Sequence, residues 1–315
     1  MANDAPALPR WSVVIPLHNK QEFIGATLRS ACHQAGGSDV EVIVIDDGST
    51  DESAARVSEV GDKRIRLIQQ PNAGVAAARN RGIQEASGEW VVFLDADDIL
   101  HPQALDAYRE MAERFPQAQL LGGKDVRIDS AALSASALPP LPKPLPVDLV
   151  PNFPDLFVRR GMPFSSSSVA IRRQFLISHG LSFPEGESMG EDLDLWLRAT
   201  ERGELACTPA GIVSYRVGLP TSLMGSYRGL ELLPVWRRLR ARATSGDVPQ
   251  PLRASSLRLV AEMEITLSRR LAKAGQRASA WRHLWAARSA CTGHRWWVTL
   301  AALAAGSKWL LLKLR

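Results

Sequence analysis

Asp95-Ala96-Asp97-Asp98 places three carboxylates within four positions, directly behind the apolar run Trp90-Val-Val-Phe-Leu94. One acid at a strand end is ordinary turn chemistry, but three repel one another unless a cation sits among them. Two aspartates one residue apart suit a hard divalent ion that also holds phosphate oxygens. An EF-hand loop is the competing metal reading, and it fails because Ile99 and Leu100 stand where a ligand and a glycine are needed. Two further acidic pairs stand at element ends. Asp46-Asp47 follows Val40-Glu-Val-Ile-Val-Ile45, and Glu191-Asp192 follows Gly190 at the head of a helical pattern running to Arg198.

The elements around these acids alternate. Trp11 to Pro16 reads as a buried strand, followed by helical spacing from about 20 to 34. Val40 to Ile45 is near-continuous in β-branched residues, as in a parallel sheet. Ser49 with Glu52 forms a capping box, which predicts a helix from near residue 50. Ile65 to Ile68 is a short strand, Gly74 to Ala86 an alanine-rich helix, and Glu89 to Leu94 a fourth strand. Pro102 is expected to open another helix. This order predicts an α/β fold, a doubly wound, mostly parallel nucleotide-binding sheet flanked by helices. Ligands in such sheets bind beyond the carboxyl ends of the strands, where Pro16, Asp46, Asp47 and Asp95 all fall.

Residues 131–163 break the alternation, and Pro139-Pro140-Leu-Pro142-Lys-Pro144-Leu-Pro146 excludes helix and central strand, so an extended surface segment is expected. Ser165 to Ile171 reads as a strand. From about 229 the chain is helical and basic. Residues 1–228 carry 22 Lys and Arg against 29 Asp and Glu, whereas residues 229–315 carry 16 against 4. The expected division is a sheet domain over 1–228, with a nucleotide half at about 11–130 and an acceptor half at about 131–228, and a basic C-terminal helical region over 229–315. Three widely spaced cysteines give no zinc spacing and fit a reducing cytosol. The N-terminus shows no basic and apolar leader, so no signal peptide is expected.

Four segments in order and spacing resemble the family 2 inverting glycosyltransferases of GT-A fold, of the bacterial surface-polysaccharide type. They are Ser12-Val-Val-Ile-Pro-Leu-His-Asn19, Val44-Ile-Asp-Asp-Gly-Ser-Thr-Asp51, Asn72-Ala-Gly-Val-Ala-Ala-Ala-Arg-Asn80 and Gly88-Glu-Trp-Val-Val-Phe-Leu-Asp-Ala-Asp-Asp98. Gly190-Glu-Asp192 is similar to the family's later acidic motif, and the resemblance covers roughly residues 11–216. It implies that Asp47 reads the nucleotide base, with Asp46 serving the turn. It implies that Pro16 and His18 line the nucleotide pocket, His18 departing from the tyrosine often found there. Arg79 would contact the donor diphosphate. Asp95 and Asp97 resemble the family's DxD motif. Asp95 would hold ribose hydroxyls or a metal-bound water, and Asp97 would ligate Mn²⁺ or Mg²⁺ at the diphosphate. Asp98 would be a second ligand or a helix cap. Asp192 would be the base that takes the acceptor's proton, with Glu191 and Asp194 as lesser candidates. Trp196, on the same helix face, would stack on an acceptor sugar or pack in the core.

The expected activity is metal-dependent transfer of a hexosyl or N-acetylhexosaminyl group from a nucleoside diphosphate sugar, UDP favoured, to a glycan or lipid-linked acceptor. Trp296, Trp297 and Trp309 with Arg295, Lys308, Lys313 and Arg315 fit a helix lying in an anionic membrane interface, since the apolar run is too short to span. Packing on the body or in a dimer is the alternative. A cytoplasmic protein, peripheral on the inner face of the cell membrane, is expected. Nucleic acid is not, because no recognition motif accompanies the arginines. A nucleotidyltransferase would need a glycine-rich loop after the first strand, where this chain has Pro16-Leu-His-Asn19. A non-catalytic sugar-nucleotide-binding subunit is the other alternative.

Overall fold

A computed structural model of the chain describes residues 10–34, 39–129, 139–218 and 229–306. The first half alternates as β1 (Trp11–Leu17), α1 (Ile24–Cys32), β2 (Val40–Asp47), α2 (Ser53–Glu59), β3 (Ile65–Gln70), α3 (Val75–Glu85), β4 (Trp90–Phe93), β5 (Ile99–Leu100) and α4 (Ala104–Arg114). There follow β6 (Ala118–Asp129), β7 (Asp148–Val150), α5 (Phe153–Arg160), β8 (Val169–Arg172), α6 (Arg173–Ser178), α7 (Glu191–Thr200) and β9 (Glu204–Val217). The remaining helices are α8 (Pro234–Ser245), α9 (Gln250–Lys273), α10 (Arg277–Ala286) and α11 (His294–Ala304).

The strand order is β3-β2-β1-β4-β8-β6-β9-β5, with β7 also on β9. The first four strands are parallel, as their β-branched runs predict. The other half is mixed: β8 runs antiparallel to both β4 and β6, while β6 and β9 are parallel. The Leu94 N–H donates to the Val14 carbonyl at 3.0 Å, and the β1–β4 ladder stops there, where Pro16 has no N–H to continue it. Trp11 and Trp90, neighbours in the β1–β4 register, stack at 6.0 Å, and Tyr108 of α4 closes on Trp11 at 5.9 Å. Helix α3 approaches β1 so closely that a Cβ at Gly82 would lie 2.1 Å from Val14 Cγ1.

Several local expectations change. The Ser49–Glu52 capping box does not form. Helix α2 begins at Ser53, because Ser49 Oγ accepts the Asn19 N–H at 3.1 Å and Asp51 accepts the Ser53 N–H at 3.0 Å. Helix α4 begins at Ala104, two residues past Pro102. The proline-rich stretch is not simply a surface segment. Leu145 within it and Val147 just after it are buried in the core, and β7 and α5 follow. The serine run is a capped 3₁₀ turn, Ser166–Ser168, and only then a strand.

The chain divides into two compact units, residues 1–151 with 162–225, and residues 152–161 with 226–315. In the helical unit, buried Glu264 of α9 accepts from Arg240 of α8 at 2.5 Å and from His283 of α10. Trp296 does not face outward as an interfacial residue. It is buried, with Nε1 donating to the Leu284 carbonyl at 3.0 Å, while Trp297 is exposed. Lys308, Trp309, Lys313 and Arg315 lie outside the described residues. No helix among the described residues is long and apolar enough to cross a membrane.

Candidate functional site

The carboxyl ends of β1, β2 and β4 gather most of the expected residues. The chain after β4 turns sharply, with the Asp98 N–H donating to the Asp95 carbonyl at 3.0 Å. Thr27 of α1 holds this loop from below, its hydroxyl 2.9 and 2.8 Å from the carbonyls of Ala96 and Asp98.

Arg79 organises the centre. The residue is 3% exposed. It donates to Asp95 Oδ1 at 2.7 Å and to Glu191 Oε1 at 2.8 Å, and lies over the Phe183 ring at 5.3 Å. Burial alone would push its pKa down, but Asp95, Glu191 and Asp192 hold it up, so it stays charged. This arginine, expected at the donor diphosphate, pairs here with two carboxylates. Glu191 is raised above the usual carboxylate range by burial and by Asp192, a rise that Arg79 opposes.

The three clustered aspartates differ. Asp95 is part-exposed and paired to Arg79. Asp97 is part-exposed, and its Oδ2 accepts from Lys20 Nζ at 2.7 Å. Asp98 is 1% exposed and turned inward. Its oxygens accept from Ser167 Oγ at 2.6 Å and from the Arg216 N–H at 3.1 Å, and burial raises its pKa well above the usual range. It is not the cap of α4, whose N-cap position is held by Gln103. Ser167 also accepts the Asp95 N–H at 3.0 Å, so one hydroxyl ties both ends of the loop.

The next serine reaches the base candidate. Ser166 Oγ donates to Asp192 Oδ2 at 2.5 Å, while Asp192 Oδ1 accepts the Leu193 N–H at 2.6 Å in the first turn of α7. Asp194, a lesser candidate, is buried and paired to Arg198 at 2.6 Å. Trp196 is core, packed on Phe93, Phe183 and Phe164 at 5.8, 5.6 and 6.1 Å.

At β2, Asp46 accepts the Ser49 N–H at 3.0 Å and the Gln69 amide at 3.1 Å, which is turn chemistry. Asp47 is buried and accepts from Gln70 at 2.8 Å and from the N–H groups of Ala73 and Gly74 at 2.9 and 2.8 Å. Gly74 has φ 92°, the left-handed turn that places its N–H there. A carboxylate has about four acceptor positions, so Asp47 keeps roughly one for another donor. His18 is exposed beside it, Nδ1 3.0 Å from the Asp47 carbonyl. Pro16 is buried below.

Sequence reasoning missed Lys20, Ser166, Ser167, Tyr215 and Arg216. Arg216 stacks over Phe23 at 4.6 Å and donates from Nε to the Asp97 carbonyl at 3.0 Å. Burial, then Asp98, Asp95 and Asp97, push the Tyr215 phenol up to about 12, so it remains protonated. An aromatic–basic pair at the end of a strand was the only local signal for these last two.

Among the described residues no three acid, histidine or cysteine side chains converge to hold a metal alone. Mg²⁺ and similar ions are commonly held by one or two carboxylates completed by substrate phosphates. Part-exposed Asp97 and Asp95, both hard oxygen donors, fit that mode.

The family model Glycosyl transferase family 2 matches residues 12–150. The succinoglycan biosynthesis protein ExoU of Rhizobium meliloti (strain 1021) is 32% identical over 248 residues, 73% of this chain and 68% of that one. ExoO of the same organism, also a succinoglycan biosynthesis protein, is 31% identical over 223 residues, 67% of this chain and 61% of that one. In fold the chain is similar to S. aureus TarS 1-349 crystallised with UDP-GlcNAc, at TM-score 0.65 and 17% identity, over 95% of this chain and 92% of that one. It is also similar to the mannosyltransferase PcManGT of Pyrobaculum calidifontis with GDP-Man and Mn²⁺, at TM-score 0.56 and 20% identity, over 95% and 81%. The chain belongs to glycosyltransferase family 2 and is a glycosyltransferase of GT-A fold.

Proposed function

We propose that this enzyme transfers a sugar with inversion from a nucleoside diphosphate donor, UDP favoured, to a hydroxyl of a glycan or lipid-linked acceptor in surface-polysaccharide synthesis. The observation that supports the reading is the joining of Asp95 and Glu191, near neighbours in the chain of Asp97 and Asp192, through one buried guanidinium. In-line displacement needs a group that holds the leaving diphosphate and one that takes the acceptor's proton. Asp97, with Asp95 beside it, would hold Mn²⁺ or Mg²⁺. When bound, such an ion supplies Lewis-acid stabilisation of the charge on the departing diphosphate. Asp192 takes the acceptor proton, its carboxylate oriented by Ser166. His18 and the remaining acceptor position of Asp47 face the base. UDP-GlcNAc on TarS and GDP-Man with Mn²⁺ on PcManGT support a metal-assisted nucleotide-sugar donor, and the succinoglycan relatives support the polysaccharide acceptor.

The test is a thermal-shift screen of UDP-, GDP-, dTDP- and CMP-sugars with Mn²⁺, followed by transfer assays. One donor class should stabilise the fold. Asp192→Asn should bind that donor with unchanged affinity while transfer falls about 100-fold or more. Equal loss of binding and turnover would remove the base assignment. Undiminished activity of Asp97→Ala, or in chelator, would remove the metal assignment.

A further inference from the structure

Lys20 carries the inference, which rests on the reading of Asp97 as the metal-holding residue. The Lys20 ammonium lies 2.7 Å from Asp97 Oδ2, and the two side chains are only 18% and 20% exposed. The chain builds this contact. Asn19 adopts φ 51°, an uncommon left-handed conformation for a residue other than glycine. Contacts to the loop after β2 hold it there: its N–H donates to Ser49 Oγ at 3.1 Å, and its Oδ1 accepts the Thr50 N–H at 2.8 Å. Lys20 itself is fixed at both backbone groups. Its N–H donates to Ser53 Oγ at 2.8 Å, and its carbonyl accepts from Phe23 and Ile24, each at 3.0 Å. Thr27, in helix α1 that follows, holds the carbonyls on either side of Asp97. The Lys20 backbone is thus tied to the start of α1, and the Asp97 loop to Thr27 within it.

We propose that Lys20 is the resident counter-cation of the metal position. It neutralises Asp97 while the donor is absent, so that a divalent ion is accepted only together with a nucleoside diphosphate. A divalent ion sits about 2.1 Å from a carboxylate oxygen. With an ammonium 2.7 Å from the same oxygen, the two cations would stand within about 5 Å and repel. Asp95 already has a cationic partner in Arg79, which it shares with Glu191, so a free ion meets two acids that each face a resident cation. A diphosphate adds oxygen ligands and negative charge, and offers the displaced ammonium a new partner. Lysine suits that exchange, being a point charge on a flexible stem. Arg79, buried between two carboxylates, is not free to move.

The test measures Mn²⁺ affinity by electron paramagnetic resonance of the unbound ion, with and without UDP. Wild type should bind Mn²⁺ weakly alone and at least tenfold more tightly with UDP. Lys20→Met should bind Mn²⁺ alone at least tenfold more tightly than wild type, so that the tightening by UDP shrinks. Lys20→Gln provides the same test if the methionine variant is poorly folded by circular dichroism. Equal Mn²⁺ affinity without UDP in wild type and the folded variants overturns the proposal. If Asp97→Asn still loses Mn²⁺–UDP binding in that case, the reading of Asp97 stands and only the role of Lys20 falls. If Asp97→Asn binds Mn²⁺–UDP as wild type does, the reading of Asp97 falls and the role of Lys20 with it.

Discussion

Arg79 shows how one residue can be well chosen from sequence and differently employed. It was expected at the diphosphate, and in the structure its buried guanidinium bridges Asp95 and Glu191. Removing one member of a buried charge cluster leaves its partners desolvated and unpaired, at a cost of several kcal/mol. Arg79→Met should therefore destabilise the fold by roughly 3 kcal/mol, read from urea unfolding, because Glu191 has little solvent to compensate it. A loss below about 0.5 kcal/mol would show that the cluster relaxes into water. Arg79→Lys keeps the charge but not the fork that reaches two acids, so it should recover only part of the loss.

The parallel strands are tied at the element scale by Glu41 of β2. Its Oε1 accepts from Ser12 Oγ of β1 at 2.6 Å, and from the N–H and Oγ of Ser87, before β4, at 2.7 and 2.8 Å. Arg66 of β3 lies 3.7 Å from its other oxygen. Burial raises the Glu41 pKa, but these hydrogen bonds and Arg66 outweigh it, and the net shift is downward. A depressed carboxylate contributes stability that is full above its unfolded pKa and lost as pH falls through the folded one. Glu41→Gln should cost about 1–3 kcal/mol at pH 7 and flatten the fall in melting temperature on acidification. An unchanged acid limb would exclude this residue as its source. Packing of α3 on β1 gives a second prediction. Gly82→Ala drives a methyl to 2.1 Å from Val14, so it should destabilise by roughly 1–3 kcal/mol in the same unfolding measurement.

Charge is the clearest feature of the whole molecule. After Glu264 the chain has no Asp or Glu through Arg315, and ten Lys and Arg. In that stretch Trp281 and Trp285, one turn apart on α10, are 38% and 66% exposed, and Trp297 of α11 is 57% exposed. Exposed tryptophans in a stretch of chain rich in arginine and without Asp or Glu suit an anionic lipid interface. We therefore expect the protein to sediment with vesicles containing phosphatidylglycerol, and binding to weaken as salt rises. Trp285→Ala, at the more exposed of the two, should weaken binding with melting temperature nearly unchanged, since exposed side chains contribute little to stability. Equal sedimentation with neutral and anionic vesicles would exclude the electrostatic part.

The sequence alone determined the alternation of strands and helices and the placing of acids at strand carboxyl ends, which also carried the family resemblance. Those signals are local: hydrophobic period, β-branched runs and turn residues act within a dozen positions. Only the tertiary structure decided what each acid does. Asp95, Asp97 and Asp98 read alike in a row, yet one meets Arg79, one Lys20 and one a buried serine. The serine run had no period to interpret, because its function is to bridge Asp95 and Asp98 to Asp192 across distant segments. Trp296 and Trp297 likewise differ only in which side of α11 finds Leu284. Such assignments depend on partners far away in the chain, and packing alone brings those partners together.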